Sequence, residues 1–198
     1  MVVADPCDAR FDGASDNRQA HERCKDFGKE RDDVDLEHKA RVFRDRDEFA
    51  CALEALDRRD FARARSELDL LLECRSSGGL ERAFLLNKRG VARMGLDQRE
   101  LARADFEAAL NAQSHYAPAL TNLGNLLLES GRLQEAIDHY ERAISSDGEY
   151  AIAFLNLGVA YKRAGRIAEG VRALRQAQRL EQRLRPSGRR YYRPSRPR

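Results

Sequence analysis

The feature that most constrains the fold is a glycine that returns at a fixed interval. Gly90, Gly124 and Gly158 are evenly spaced, 34 residues apart, and each interrupts a segment whose apolar residues follow helical spacing, as in TNLGNLLLESGR. Glycine inside a helix costs about 1 kcal/mol relative to alanine, so each must serve a packing need. Self-similarity at this period is typical of a helical repeat array, in which stacked neighbours share a core.

The period divides the chain into units of two helices each. A glycine or an Asp-Gln pair marks the turn between the two helices, at Asp97, Gly131 and Gly165. A fourth, degenerate unit aligns through Phe61 and Ala64, with four extra residues before the next unit. The predicted units cover about 45–78, 83–116, 117–150 and 151–184.

The repeating glycine has a predicted partner on the second helix of its unit. Two helix backbones approach closely only where side chains are small, and each unit carries a small residue in its second helix. These are Ala102, Ala136 and Gly170. We expect small residues to face small residues, while Phe106, Tyr140 and Leu174 fill the flanks.

Two units share a longer set of signature positions. In the first they are Leu120, Leu123, Gly124, Leu127, Ala136 and Tyr140. In the second they are Phe154, Leu157, Gly158, Tyr161, Gly170 and Leu174. With these residues the chain resembles the tetratricopeptide repeat family. The unit at 83–116 departs from the pattern by placing Arg89 before its glycine and Arg93 where an aromatic residue is usual.

The resemblance implies an all-α fold, a right-handed α-solenoid of stacked antiparallel helix pairs, over residues 36–184. It also implies that the first helix of each unit lines a concave side where peptides bind. The candidate partner-binding residues are those of the first helices that we expect not to pack inward. They are Asn87, Lys88, Thr121, Asn122, Asn125, Asn156 and Lys162.

Asparagine is the informative residue type in this set. Asn122 and Asn156 fall at the same place in successive units, and the resemblance implies a role in holding a peptide backbone, because a carboxamide both donates and accepts hydrogen bonds. The alternative is that these asparagines bond a neighbouring helix or water. A clamp for a terminal carboxylate is not expected, since Thr121 and Ile152 stand where lysines would be needed.

The two ends of the chain are charged and poor in large apolar residues. Residues 1–35 are predicted to be disordered, as is the basic tail, residues 185–198. Guanidinium groups pair with phosphates and carboxylates, and tyrosines stack on bases, so nucleic acid, an acidic protein surface or no partner at all are open alternatives for the tail. Its candidate contact residues are Arg189, Arg190, Tyr191, Tyr192 and Arg193.

Other function classes find no support in the sequence. The four cysteines form no CxxC pair and the four histidines occupy unrelated repeat positions, so we expect no cofactor, no metal and no catalysis. No apolar stretch approaches the roughly 18 residues of a membrane span, and the first residues do not resemble a signal peptide, which favours a soluble cytoplasmic protein. Leu180 and Leu184 leave self-association possible.

The sequence therefore predicts a protein–protein interaction scaffold or adaptor that binds a partner peptide or segment. The alternative prediction is a nucleic-acid-associated adaptor that uses the arginine- and tyrosine-rich tail.

Overall fold

The computed structural model describes residues 47–74 and 79–184, and these residues form helices joined by short turns. None of the described helices has the length and apolar run that crossing a bilayer needs. The helices are α1 (Asp47–Asp57), α2 (Phe61–Cys74), α3 (Gly79–Gly95), α4 (Arg99–Ala112), α5 (Ala117–Glu129), α6 (Leu133–Ser146), α7 (Ala151–Arg163) and α8 (Ile167–Leu184).

These helices belong to two compact units. The first ends at Ala112 and contains α1 to α4, and the second begins at Gln113 and contains α5 to α8. Within each unit every helix packs on the next along the chain, and α5 also contacts α7. The predicted helix pairs are therefore present, although the predicted domain boundaries stay predictions because residues 1–46 and 185–198 lie outside the described part of the chain.

Each unit has its own apolar core. In the first, Phe49, Ala52, Leu68 and Leu85 are buried together, and the ring of Phe84 meets that of Phe49 edge to face. The core of the second unit joins α6, α7 and α8. Its buried members are Ala136, Ile137, Tyr140, Leu157, Ala160, Tyr161 and Ala173.

The same tight turn closes four helix pairs. Arg59, Asp97, Gly131 and Gly165 have φ angles of 61°, 58°, 78° and 77°. In each case the next residue donates its backbone N–H to the carbonyl five positions earlier, for example Arg132 to Leu127 at 2.9 Å. A left-handed residue followed by such a bond is a common way to satisfy the last carbonyls of a helix.

Arg59 occupies this left-handed position at a cost that glycine avoids. Left-handed backbone costs a residue with a side chain roughly 1–2 kcal/mol. In return, the Arg59 guanidinium gains only a distant contact with the Phe61 ring, 5.9 Å from its centre. We expect Arg59→Gly to raise the free energy of unfolding by about 1 kcal/mol. Urea denaturation followed by far-UV circular dichroism measures the change.

Asp97→Gly is the matched comparison for Arg59→Gly. Aspartate tolerates left-handed backbone better than arginine, and Asp97 also pairs with Arg99 at 3.1 Å, so its replacement should gain less. A loss of stability in Arg59→Gly would contradict the strain inferred for this turn.

The space beside each repeating glycine is filled by a large side chain. A Cβ on Gly124 would lie 2.5 Å from the ring of Tyr140, and one on Gly158 would lie 2.6 Å from Leu174. The ring of Phe106 takes the same place beside Gly90. The sequence predicts a small residue opposite each glycine. At Gly90 and Gly124 the nearest atoms belong instead to an aromatic ring, which occupies the space that a Cβ would take. At Gly158 the backbone of Gly170 comes close, as predicted, together with Leu174.

Candidate functional site

A hydrogen-bonded cluster joins three helices of the second unit. The hydroxyl of Tyr140 on α6 donates to Oδ1 of Asn125 on α5 at 2.8 Å, and Nδ2 of Asn156 on α7 donates to the same oxygen at 2.9 Å. Gly124 explains the geometry, since the ring of Tyr140 lies against it and the hydroxyl then reaches the next residue. The two predicted asparagines are thus held side by side on neighbouring helices.

This arrangement uses part of the hydrogen-bonding capacity of the two amides. The carbonyl oxygen of Asn125 accepts two bonds, whereas its amide nitrogen and the carbonyl oxygen of Asn156 bond no other described residue. Both side chains are half-buried, so they are ordered but reachable from solvent. The pair therefore presents one donor group and one acceptor, which is the complement of a single peptide unit.

Three other candidates in this unit, Thr121, Lys162 and Asn122, differ in how far they are exposed. Thr121 is only 1% exposed and its hydroxyl donates to the carbonyl of Ala117 at 2.9 Å, so the expectation that it does not pack inward is wrong. A threonine hydroxyl commonly bonds the carbonyl one turn earlier in its own helix. Lys162 is exposed, and the aliphatic part of its side chain packs over Gly170. Asn122 is half-buried and interacts with a neighbouring group.

Tyr161 forms a further polar contact between neighbouring helices. Its hydroxyl donates to Oε1 of Glu141 at 2.6 Å, and the guanidinium of Arg166 lies 4.3 Å from the centre of its ring. Burial, together with the bond to the Glu141 carboxylate, raises the pKa of Tyr161 to about 12. The hydroxyl therefore acts as a donor that ties α7 to α6, and not as a base.

The first unit contains a buried charge cluster that the sequence did not predict. The carboxylate of Asp105 on α4 is 4% exposed and receives Arg89 on α3 through two guanidinium nitrogens, the closer at 2.6 Å. Arg93, one turn further along α3, contacts the other carboxylate oxygen at 2.8 Å. Two guanidinium groups thus share one buried carboxylate.

A second carboxylate balances this cluster. Asp69 on α2 accepts from Arg89 at 2.8 Å and lies 3.8 Å from Arg65. Desolvation alone would lower the pKa of Arg89, but its bonds to Asp105 and Asp69 raise that pKa above the usual value. The cluster therefore links α2, α3 and α4 through the Arg89 guanidinium and its two carboxylate partners.

The signal for this cluster was present in the sequence. Arg89 and Arg93 lie four residues apart, at positions where the next unit has Leu123 and Leu127, and they were recognised only as departures from the repeat. An acid on the second helix, Asp105, completes the pattern. Two arginines at core positions require a buried acid, so looking for an acid on the second helix of the same unit would have identified Asp105.

The remaining predicted residues are not brought together with the asparagine pair. Asn87 is 4% exposed, so it too packs inward against expectation. The ammonium group of Lys88 lies 5.4 Å from the centre of the Phe84 ring. The tail residues Arg189 to Arg193 lie outside the described residues.

Two features of the described residues bear on chemistry, possible metal-holding groups and a histidine with a shifted pKa. No three histidine, cysteine or acidic side chains within residues 47–74 and 79–184 lie where they could hold a metal ion. His139 is half-buried, and desolvation followed by the charge of Arg142 lowers its pKa, which keeps it neutral near pH 7.

Two repeat models match residues within the second unit. One, described as a TPR repeat, matches residues 124–165, and another, described as a tetratricopeptide repeat, matches residues 151–183. This part of the chain consists of tetratricopeptide repeats. The resemblance noted from Gly124, Gly158 and their neighbours is thereby confirmed. No curated protein matches the sequence.

Solved structures of tetratricopeptide repeat proteins share the fold. A crystal structure of MamA is 20% identical and covers 77% of this chain and 98% of its own, with a TM-score of 0.56. MamA from Desulfovibrio magneticus RS-1, residues 41 to the end, is 20% identical over 69% of this chain and 75% of its own, with a TM-score of 0.55. YrrB, described as a TPR protein with an unusual peptide-binding site, is 19% identical over 69% of each chain, with a TM-score of 0.52.

These matches confirm the predicted fold class, an all-α tetratricopeptide repeat solenoid of stacked antiparallel helix pairs. At 19–20% sequence identity these matches show likeness of fold and say nothing about what the chain binds. The chemistry of binding has to come from the residues of this chain.

Proposed function

We propose that this tetratricopeptide repeat protein is an interaction scaffold that binds an extended segment of a partner protein in the cytoplasm. The observation that carries the proposal is the joined pair Asn125 and Asn156. Its unused donor and acceptor match the N–H and C=O of one peptide unit, whatever the partner's side chain. No catalytic step or cofactor is part of the proposal.

Preorganisation supports this role. The two amides are already fixed by Tyr140 and by each other, so binding a peptide would order few additional groups. The alternative considered from the sequence, that an asparagine here bonds a neighbouring helix, accounts for the Asn156 nitrogen and leaves its oxygen available. Both roles are therefore compatible in one pair. YrrB, a tetratricopeptide repeat protein described by its peptide-binding site, is a precedent for the class.

Lys162 and Asn122 extend the proposed surface. Lys162 is exposed at the end of α7, the helix that carries Asn156, and its ammonium group would attract an acidic residue beside the bound peptide unit. Asn122 precedes Asn125 by one turn of α5 and is half-buried. In the first unit, Lys88 remains a candidate, whereas the burial of Asn87 and Thr121 removes both from the proposed contact set.

The test compares peptide binding with and without the asparagine pair. Twelve-residue peptides selected from a random display library on the purified chain would be labelled and measured by fluorescence anisotropy. We expect Asn156→Ala to weaken binding about tenfold, because it removes an acceptor and releases Asn125. N-methylation of one peptide amide should weaken binding to the unchanged protein and have little further effect on Asn156→Ala.

Gln134→Ala supplies the matched control. Gln134 is an exposed amide on α6 whose nitrogen donates to Asp138, so its loss should change affinity less than twofold. Equal binding by Asn156→Ala and the unchanged protein, with no methylation effect, would reject the proposed site. Failure of every library peptide to bind would reject the peptide-binding function itself.

The nucleic-acid alternative rests on residues 185–198, which lie outside the described part of the chain. No observation on the described residues favours it over peptide binding.

A further inference from the structure

One face of the second unit carries apolar side chains that the repeat pattern would normally cover. Thr121 on α5 and Ile137 on α6 are each 1% exposed, and α7 packs on both of these helices. The residues 34 positions later are Leu155 on α7, which is 41% exposed, and Val171 on α8, which is 36% exposed. The α5–α6 pair is thus covered by a helix, whereas the same face of the α7–α8 pair is open within the described residues.

The centre of this open face is apolar. We define the open face by Leu155, Val159 and Val171, with Lys162 and Arg175 beside them. Val159 is 36% exposed and stands where the preceding pair has Asn125. Large apolar side chains clustered at exposed positions of adjoining helices mark an interaction surface more often than isolated ones do.

The charges around the open face differ from those of the face that α7 covers. Glu141 on α6 accepts a hydrogen bond from Tyr161 of α7 at 2.6 Å, but the equivalent residue on α8 is the exposed Arg175. Leu128 on α5 is replaced by the exposed Lys162 on α7. A helix packed here as α7 packs on its predecessor would therefore meet two cations in place of an acid and a leucine.

From this geometry we infer that the open face binds an amphipathic helix of a partner protein, with an apolar stripe against Leu155, Val159 and Val171 and acidic residues against Lys162 and Arg175. The occupant is a helix because a helix covers the equivalent face of the same unit. It is acidic because it has to pair with the cations Lys162 and Arg175. A second copy of this chain that docked through the same face would instead bring its own Lys162 and Arg175 to the contact. The open face shares Lys162 with the proposed peptide surface, but it includes neither Asn125 nor Asn156, so the inference stands whether or not that pair binds peptide.

The basic tail of this chain is a poorer occupant for the same reason. Residues 185–198 contain six arginines and no acid, so they would place like charges next to Arg175. Charge complementarity thus favours an acidic helix over a second copy of this chain and over its basic tail.

Two designed peptides test the inference with the full chain. Each is an 18-residue helix former with leucines on one face, flanked by glutamates in one peptide and by lysines in the other. We expect the glutamate peptide to bind at least tenfold more tightly than the lysine peptide by fluorescence anisotropy. Arg175→Glu should weaken the glutamate peptide about tenfold and strengthen the lysine peptide, and Val171→Asp should weaken both.

Arg172→Glu is the matched control, because it changes the net charge as Arg175→Glu does. Its equivalent on α6, Asp138, stays exposed although α7 packs on that helix, so Arg172 lies away from the docked surface. Its affinity for the glutamate peptide should change less than twofold. Equal binding of the two peptides, or equal losses in Arg172→Glu and Arg175→Glu, overturns the inference.

Two further outcomes would assign the face to the chain itself and overturn the inference as well. One is a dimer in sedimentation equilibrium that Val171→Asp dissociates. The other is glutamate-peptide binding that becomes more than tenfold tighter when residues 185–198 are removed. Far-UV circular dichroism of each variant establishes that the helices are retained.

Discussion

Replacing Asp105 with alanine is expected to lower the free energy of unfolding of the first unit by about 3 kcal/mol, because the change leaves two half-buried guanidinium groups without their shared carboxylate. The side chains of Arg89 and Arg93 are 19% and 18% exposed, so water replaces the lost acid only in part. Asp69 can still neutralise Arg89, but Arg93 has no second acid among its described contacts.

Urea denaturation of Asp105→Ala measures this loss. Far-UV circular dichroism reports the helices of both units, whereas tyrosine fluorescence reports the second unit, since all six tyrosines lie at Tyr116 or beyond. We expect the circular dichroism transition to gain an early phase that tyrosine fluorescence does not follow.

A triple variant separates charge imbalance from lost packing. Replacing Arg89 and Arg93 with leucine in Asp105→Ala removes the uncompensated charges and restores two residues found in the next unit, at Leu123 and Leu127. Most of the lost stability should return, as it does when a buried ion cluster is exchanged for apolar residues. A cost below about 1 kcal/mol for Asp105→Ala would show that the cluster contributes little.

Gly124→Ala is expected to lower the free energy of unfolding of the second unit by about 1 kcal/mol. The added Cβ would lie 2.5 Å from the ring of Tyr140, which is fully buried and bonded through its hydroxyl to Asn125. Overpacking of this kind costs roughly 1–3 kcal/mol, and the better helix propensity of alanine offsets only about 1 kcal/mol. The midpoint of the tyrosine fluorescence transition in urea measures the loss.

Gly148→Ala provides the control for Gly124→Ala. Its added Cβ would meet only the carbonyl of Ile144, at 3.9 Å, so stability should change by less than about 0.5 kcal/mol. Equal losses in the two variants would contradict the close packing of Tyr140 on α5.

Much of the fold could be predicted from the sequence because the same packing and turn residues recur in successive units. Gly124 and Gly158 each lie against a large side chain of the second helix of their pair, and the turns at Gly131 and Gly165 share one conformation, so a single explanation serves several positions. Arg59 was not recognised as a turn residue, since only the backbone reveals that an arginine adopts the same conformation.

The candidate site was harder to predict because it depends on contacts between helices. Spacing placed Asn125 and Asn156 on first helices, but it could not show that one donates to the other, a bond that depends on how α7 packs on α5. The same limit applies to Thr121, whose burial requires a neighbouring helix that periodicity alone does not position. The sequence predicted which helix carries each polar side chain, but it did not predict which residue that side chain bonds.

The shared turn has a consequence for how such a chain can change over evolutionary time. The bond that closes it joins backbone atoms only, so the loop tip between the helices imposes no requirement on side-chain chemistry beyond tolerance of a positive φ. Arginine, aspartate and glycine already occupy the same spot at Arg59, Asp97 and Gly131. Mutation can therefore alter the charge displayed at these corners while the helix pairs behind them keep their geometry.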